Sequence, residues 1–125
     1  MATSAITKTE LAEYIAGARA RRHREKEELL QREERARQLA ERAAGLLKDD
    51  FGATRVVLFG SLAHPGRFTS WSDVDIAAWG IDPRDTLTAI GAIFDLDTEI
   101  SVNLVDVNAC KRHILAEIER EGIPL

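Results

Sequence analysis

The sequence predicts an α+β fold: a small mixed sheet of about three strands backed by helices, preceded by a long charged helix. Three observations carry this. Residues 7–48 contain no proline and are rich in helix formers. Three short runs rich in β-branched residues follow, at 54–59, 73–79 and 100–107. Helical segments do not alternate strictly with these strands, which argues against a doubly wound α/β sheet. The 125 residues suit one compact domain with an appendage, divided as a helical extension at 1–50 and a folded domain at 51–125.

Thr7-Lys8-Thr9-Glu10 has the form of a capping box, so the first helix starts there. It runs on as one helix, or as two with a break near Gly17. Leu11, Tyr14, Ile15 and Ala18 form one apolar stripe, and Leu29, Ala36, Leu39, Ala40, Ala43, Leu46 and Leu47 form another. Between the stripes the chain is almost wholly charged. Opposite charges recur four apart at Arg21/Glu25, Arg24/Glu28, Glu28/Arg32 and Glu33/Arg37, each pair stabilising an exposed helix by ~0.2–0.5 kcal/mol. The first stripe needs a cover, supplied by self-association into a homo-oligomer or by docking on another protein.

Asp49-Asp50-Phe51-Gly52 ends the helix, with Gly52 as a left-handed stop. Thr54–Phe59 is the first strand, Gly60–Ser72 a loop or short helical turn, and Asp73–Trp79 the second strand. Asp82 caps a helix that Pro83 opens and that reaches about Phe94. Ile100–Val107 is the third strand. Asn108 caps a last helix to about Arg120, and residues 121–125 are a tail.

Composition narrows the function. Residues 1–50 carry 11 basic and 10 acidic side chains, whereas residues 51–125 carry 6 and 11. An acidic folded half disfavours a DNA or RNA groove. No apolar run approaches the ~20 residues of a membrane span, and residues 1–20 lack a signal-peptide core. Cys110 is the single cysteine and reads as a small buried hydrophobe in a reducing, cytoplasmic setting. His23, His64 and His113 show no metal-ligand spacing. Trp71 either stacks on a base or packs at a cleft edge.

The chemistry concentrates in 56–80. A glycine at a strand end, Gly60, lets backbone approach a ligand closely. Backbone N–H groups opening a helical turn at Ser61 can cradle phosphate oxygens. Asp73 and Asp75 share one face of a strand because side chains alternate. Two adjacent carboxylates repel, and a divalent cation removes the repulsion; Mg²⁺ is commonly held by one or two carboxylates plus substrate phosphates. Alone, a Gly-Ser is usually a turn and an Asp-x-Asp usually a loop edge. Together, eleven residues apart at two strand ends, they are the equipment of phosphoryl transfer. Arg67 lies in the intervening loop, where it either reaches a phosphate or is solvated.

The stretch Leu58–Trp79, LFGSLAHPGRFTSWSDVDIAAW, resembles the Gly-Ser…Asp-x-Asp signature of the polymerase-β-like nucleotidyltransferases. It is most similar to the minimal nucleotidyltransferases that act as antitoxins to HEPN-domain toxins. The resemblance covers about 51–125 and leaves the N-terminal helix outside it. It implies a nucleotidyltransferase-like fold, ATP as substrate, and Mg²⁺ on Asp73 and Asp75. It implies that Gly60 and Ser61, with Ser72 and Arg67, bind the nucleotide. The partner it implies is a HEPN-type RNase toxin, silenced by transfer of AMP onto a tyrosine.

The chain departs from that pattern twice. Pro65 lengthens the loop by one residue. The third carboxylate of the catalytic set, on the later strand, is replaced by Asn103 in Val102-Asn103-Leu104-Val105-Asp106. An amide offers a carbonyl oxygen but cannot act as a base. Asp106 turns to the opposite face, and Glu99 lies roughly 13 Å along the strand. A second reading follows, a catalytically impaired relative that neutralises its partner by binding. A third makes the chain a helical adaptor with the sheet as a relic.

Overall fold

A computed structural model describes residues 5–125. The chain divides at 31/32 into two compact units. Helix α1 spans Lys8–Phe51 without a break at Gly17. At its start the Glu10 N–H donates to Thr7 Oγ1 at 3.0 Å, and the Thr7 N–H faces Glu10 Oε2 at 3.5 Å. Within the first unit, Leu11, Tyr14 and Ile15 are exposed, and His23 meets Glu27 one turn on.

The second unit, Arg32–Leu125, contains the sheet. Its compact body takes in the second half of α1, where the sequence reading divided the chain at 50/51. The physical reason is the apolar stripe: Ala36, Leu39, Ala40, Ala43, Ala44 and Leu47 are buried. Such small side chains let a helix lie close to a sheet. Gly52 ends α1 at φ 71°, and the Ala53 N–H returns to the Leu47 carbonyl at 2.9 Å.

Strand β1 is Arg55–Phe59, β2 is Val74–Trp79, β3 is Val102–Asp106 and β4 is Ile123–Pro124. A 3₁₀ turn, Ser61–Ala63, follows β1. Helix α2, Thr86–Phe94, links β2 to β3, and α3, Arg112–Glu121, links β3 to β4. The sheet order is β3-β2-β1-β4. β1 pairs antiparallel with β2 and with β4, and β2 pairs parallel with β3. The fold is thus α+β with a mixed sheet, as the sequence predicts.

Strand alternation gives the sheet two faces. Val56, Leu58, Val74, Ile76, Val102 and Leu104 form one buried face. The buried stripes of α1 and α2 are the apolar surfaces available to cover it. Arg32 and Lys48 tie α1 to the sheet side, reaching the carbonyls of Ser72 at 3.0 Å and Leu125 at 2.7 Å. The other face carries Val57, Phe59 and Ala77, which pack with Ile118 and Ile114 of α3. At its rim the Arg55 guanidinium stacks 4.2 Å over Trp79 and pairs with Glu119.

Four expectations are corrected. The sheet has four strands, because the segment read as a tail returns to β1: Leu58 pairs with Ile123, and the Leu125 N–H reaches the Val56 carbonyl. Pro124 fits because an edge strand does not need its N–H. Helix α2 starts at Thr86, since Asp82 caps a local turn instead, accepting from the Arg84 N–H at 2.9 Å. Helix α3 starts at Arg112, because the Asp106 carbonyl and carboxylate capture the N–H groups of Asn108, Ala109 and Cys110. Strand β3 begins only at Val102, since the Asp97 carboxylate diverts the N–H groups of Glu99 and Ile100.

Candidate functional site

The site forms where β1, β2 and β3 end side by side. Cross-strand register puts Asp75 opposite Phe59 on one side and Asn103 on the other. Asn103 donates its amide N–H to Asp75 Oδ1 at 3.3 Å. Gly60 closes the other flank, with φ 76° and ψ −155°, a region essentially restricted to glycine. A Cβ there would lie 2.6 Å from Asp75 Oδ2. The glycine is therefore required twice, by its backbone and by the carboxylate against it.

Ser61 follows directly and opens the 3₁₀ turn, whose first N–H groups have no carbonyl within the turn to bond. Asp73 stands just before β2, exposed and of the same parity as Asp75. Ser72 is diverted: its hydroxyl takes the Thr69 N–H and meets Thr69 Oγ1, both at 3.0 Å. It closes the loop before Asp73. Arg67 is exposed and makes no ion pair among the described residues. Trp71 is 89% exposed, so it does not pack at a cleft edge. The structure therefore assembles Gly60, Ser61, Asp73, Asp75 and Asn103, and gives Ser72 a structural contact.

Burial is the main cause that pushes the Asp75 carboxyl above its usual range. The Asn103 hydrogen bond opposes the shift, and the negative charges of Asp73 and Glu117 add to it. No salt bridge offsets Asp73 or Asp75 among the described residues. An oxygen-only donor set with excess negative charge fits a hard divalent cation such as Mg²⁺. Asp73 and Asp75 would hold it, with the Asn103 carbonyl oxygen as a neutral neighbour if the amide turns.

Neither alternative carboxylate replaces Asn103. Glu99 lies in the turn before β3 and pairs with Arg35 at 3.0 Å. Asp106 accepts the Asn108 N–H instead.

Residues outside the motif complete the surroundings. Phe59, Asp75, Val105, Lys111, His113 and Ile114 line a wide, open hollow of about 530 Å³, the size range of small-molecule sites. The lining is mainly apolar, and Lys111 and His113 are its polar members together with Asp75. Glu117 of α3 is not part of this lining, though its charge bears on Asp75. Arg32 holds the Ser72 carbonyl and lies 5.9 Å over Phe68, fixing the loop that presents Asp73. Sequence reading passed over Lys111, His113 and Arg32 in this role. The one available signal was the i, i+4 pair Ile114/Ile118, which aims one side of α3 at the sheet. Cys110 is half-buried, its thiol 3.7 Å from the Val107 carbonyl.

Compared with known proteins, the chain matches no family model and no curated protein. No helix among the described residues is long and apolar enough to cross a membrane.

Proposed function

We propose that the chain is a Mg²⁺-dependent nucleotidyltransferase that uses ATP, and that it acts as an antitoxin by transferring AMP onto a HEPN-type RNase toxin. One observation supports this above the others: Gly60 and Asp75 meet at the ends of two paired strands, with Asp73 two residues away on the same face. In this reading the backbone around Gly60 and Ser61 seats the phosphates, and Lys111 and His113 border the hollow that receives the rest of the nucleotide. Asp73 and Asp75 hold the cation, which neutralises charge on the phosphates when bound. The transfer forms a bond between an acceptor oxygen and the α-phosphorus and releases pyrophosphate. The acceptor proton leaves to a carboxylate or to solvent.

The Asn103–Asp75 hydrogen bond favours a second reading. An amide occupies the place where the resemblance implies a third carboxylate, so the chain would neutralise its partner by binding, with little turnover. One experiment separates the two. Wild type and Asn103→Asp are incubated with the partner toxin, ATP and Mg²⁺, and the toxin is weighed by mass spectrometry. A gain of AMP units with wild type supports the enzyme. Transfer only with Asn103→Asp supports the impaired relative, and transfer with neither counts against both a live and a repairable active site.

A further inference from the structure

Beside the nucleotide site, three side chains from two segments converge without any role in it. His64 follows the 3₁₀ turn in extended conformation, at φ −119° and ψ 124°. Glu117 and Glu121 lie one turn apart on α3 and therefore share a face. One ligand atom from each of the three lies within 4.8 Å of the other two. His64 Nε2 and Glu121 Oε2 are 3.0 Å apart.

We propose that His64, Glu117 and Glu121 form a second metal site, for a zinc-class divalent transition ion. An ion pair between His64 and Glu121 would leave Glu117 unexplained. Arg120 reaches Glu121 at 3.6 Å from the outside, whereas Glu117 brings a second negative charge into the cluster and has no salt-bridge partner among the described residues. Its charge also bears on Asp75, so it stands between two anionic groups. A cation at the cluster resolves both repulsions.

The donor set selects the ion. One imidazole with two carboxylates suits zinc and its neighbours, whereas Mg²⁺ prefers oxygen alone. Zinc–ligand bonds of about 2.0–2.2 Å put tetrahedral ligand atoms about 3.4 Å apart. The three ligand atoms lie within 4.8 Å of one another, with His64 and Glu121 at 3.0 Å, and side-chain rotation adjusts them to that spacing. Three protein ligands leave a tetrahedral ion one position for water, and the partial exposure of Glu121, 35%, and His64, 23%, lets water reach it. The bound ion ties the turn after Gly60 to α3. This site is independent of the nucleotidyltransferase reading.

The test uses the full chain without a histidine tag, stripped with chelator and kept in excess Mg²⁺, which occupies any oxygen-only site. Co²⁺ is titrated and followed by its visible absorption, then displaced by Zn²⁺. One equivalent should bind, and Zn²⁺ should raise the melting midpoint. His64→Ala and the near-isosteric Glu117→Gln should each weaken binding at least tenfold, with folding checked by circular dichroism. His113→Ala should bind as wild type does. Absence of both the cobalt bands and the Zn²⁺ melting shift in wild type overturns the site. Undiminished binding by Glu117→Gln also overturns it. So does loss of binding on Asp73→Asn/Asp75→Asn with retention in His64→Ala, which would place the ion at the aspartate pair.

Discussion

Asp97 and Asp75 flank the same pair of parallel strands, yet their surroundings act in opposite directions. Asp97 accepts the Glu99 N–H at 2.8 Å and the Ile100 N–H at 3.3 Å, and Arg35 grips it at 2.7 Å. These contacts, the Glu99 N–H foremost, hold its carboxyl below the usual carboxylate range. Asp75 receives a single amide hydrogen bond and faces two like charges, and its burial pushes it above that range. The fold satisfies one acid internally and leaves the other for something outside the chain to satisfy. Carboxylates whose ionisation the fold opposes concentrate at functional sites.

The contrast breaks first in activity. Asp73→Asn or Asp75→Asn should lower AMP transfer about 10³-fold or more, some 4 kcal/mol of transition-state stabilisation. Asp97→Asn should leave the rate within a few-fold while the protein is folded, as single-turnover transfer would register. Equal losses at both positions would erase the distinction.

Gly60→Ala tests how tightly the strand ends meet. The strained φ and the 2.6 Å approach to Asp75 Oδ2 should together cost about 2–4 kcal/mol in denaturant unfolding. Removing the carboxylate branch by Asp75→Ala should recover part of that loss in the double variant.

Smaller effects sharpen the contrast in stability. Without divalent cation, Asp75→Asn should stabilise the fold by up to about 1 kcal/mol, because a shielded charge is removed, a figure already reduced for partial solvent screening. Asp97→Asn should destabilise it by about 1 kcal/mol through lost charge-assisted hydrogen bonds. Mg²⁺ should narrow the gap between Asp75→Asn and wild type.

The pH dependence follows from the signs. Asp75 has a raised folded pKa, so its ionisation penalty is absent below the unfolded value near 3.8 and grows as pH rises through the folded value. Asp97 has a lowered folded pKa, so its contribution is present above 3.8 and is lost as pH falls through the folded value. The two stability differences should have opposite signs at neutral pH and both approach zero in acid. Urea titrations across pH 2–7 (a range set by about one to three units around the ordinary carboxylate value) would show the convergence or its absence.

The sequence revealed what local pattern controls. The Thr7/Glu10 box, the Gly52 stop and the three longer strands are written in adjacent residues. Asp73/Asp75 parity needs only the period of a strand. What was hidden depends on distant partners. β4 is two residues long and acquires its strand character from pairing with β1. The starts of α2 and α3 were displaced by carboxylates that bond nearby N–H groups, a competition that propensity does not resolve. The compact body extends back to Arg32 because buried alanines carry little hydrophobic signal. Glu117 joins His64 and Asp75 only through the packing of α3, and the cluster has no spacing to read.

The sheet order also sets a sequence of assembly. β1 meets β2 across a closure of 16 residues, Phe59 to Asp75, but meets β4 across 65, Leu58 to Ile123. Closing the longer loop costs about 1.2 kcal/mol more in chain entropy. The hairpin that brings Gly60 to Asp75 should therefore form ahead of the β1–β4 edge, with high φ values in β1 and β2 and low ones at Ile123. Destabilised variants would then open first at the β4 edge and keep the Gly60–Asp75 corner closed longest, a difference in amide-exchange protection between neighbouring edges of one strand.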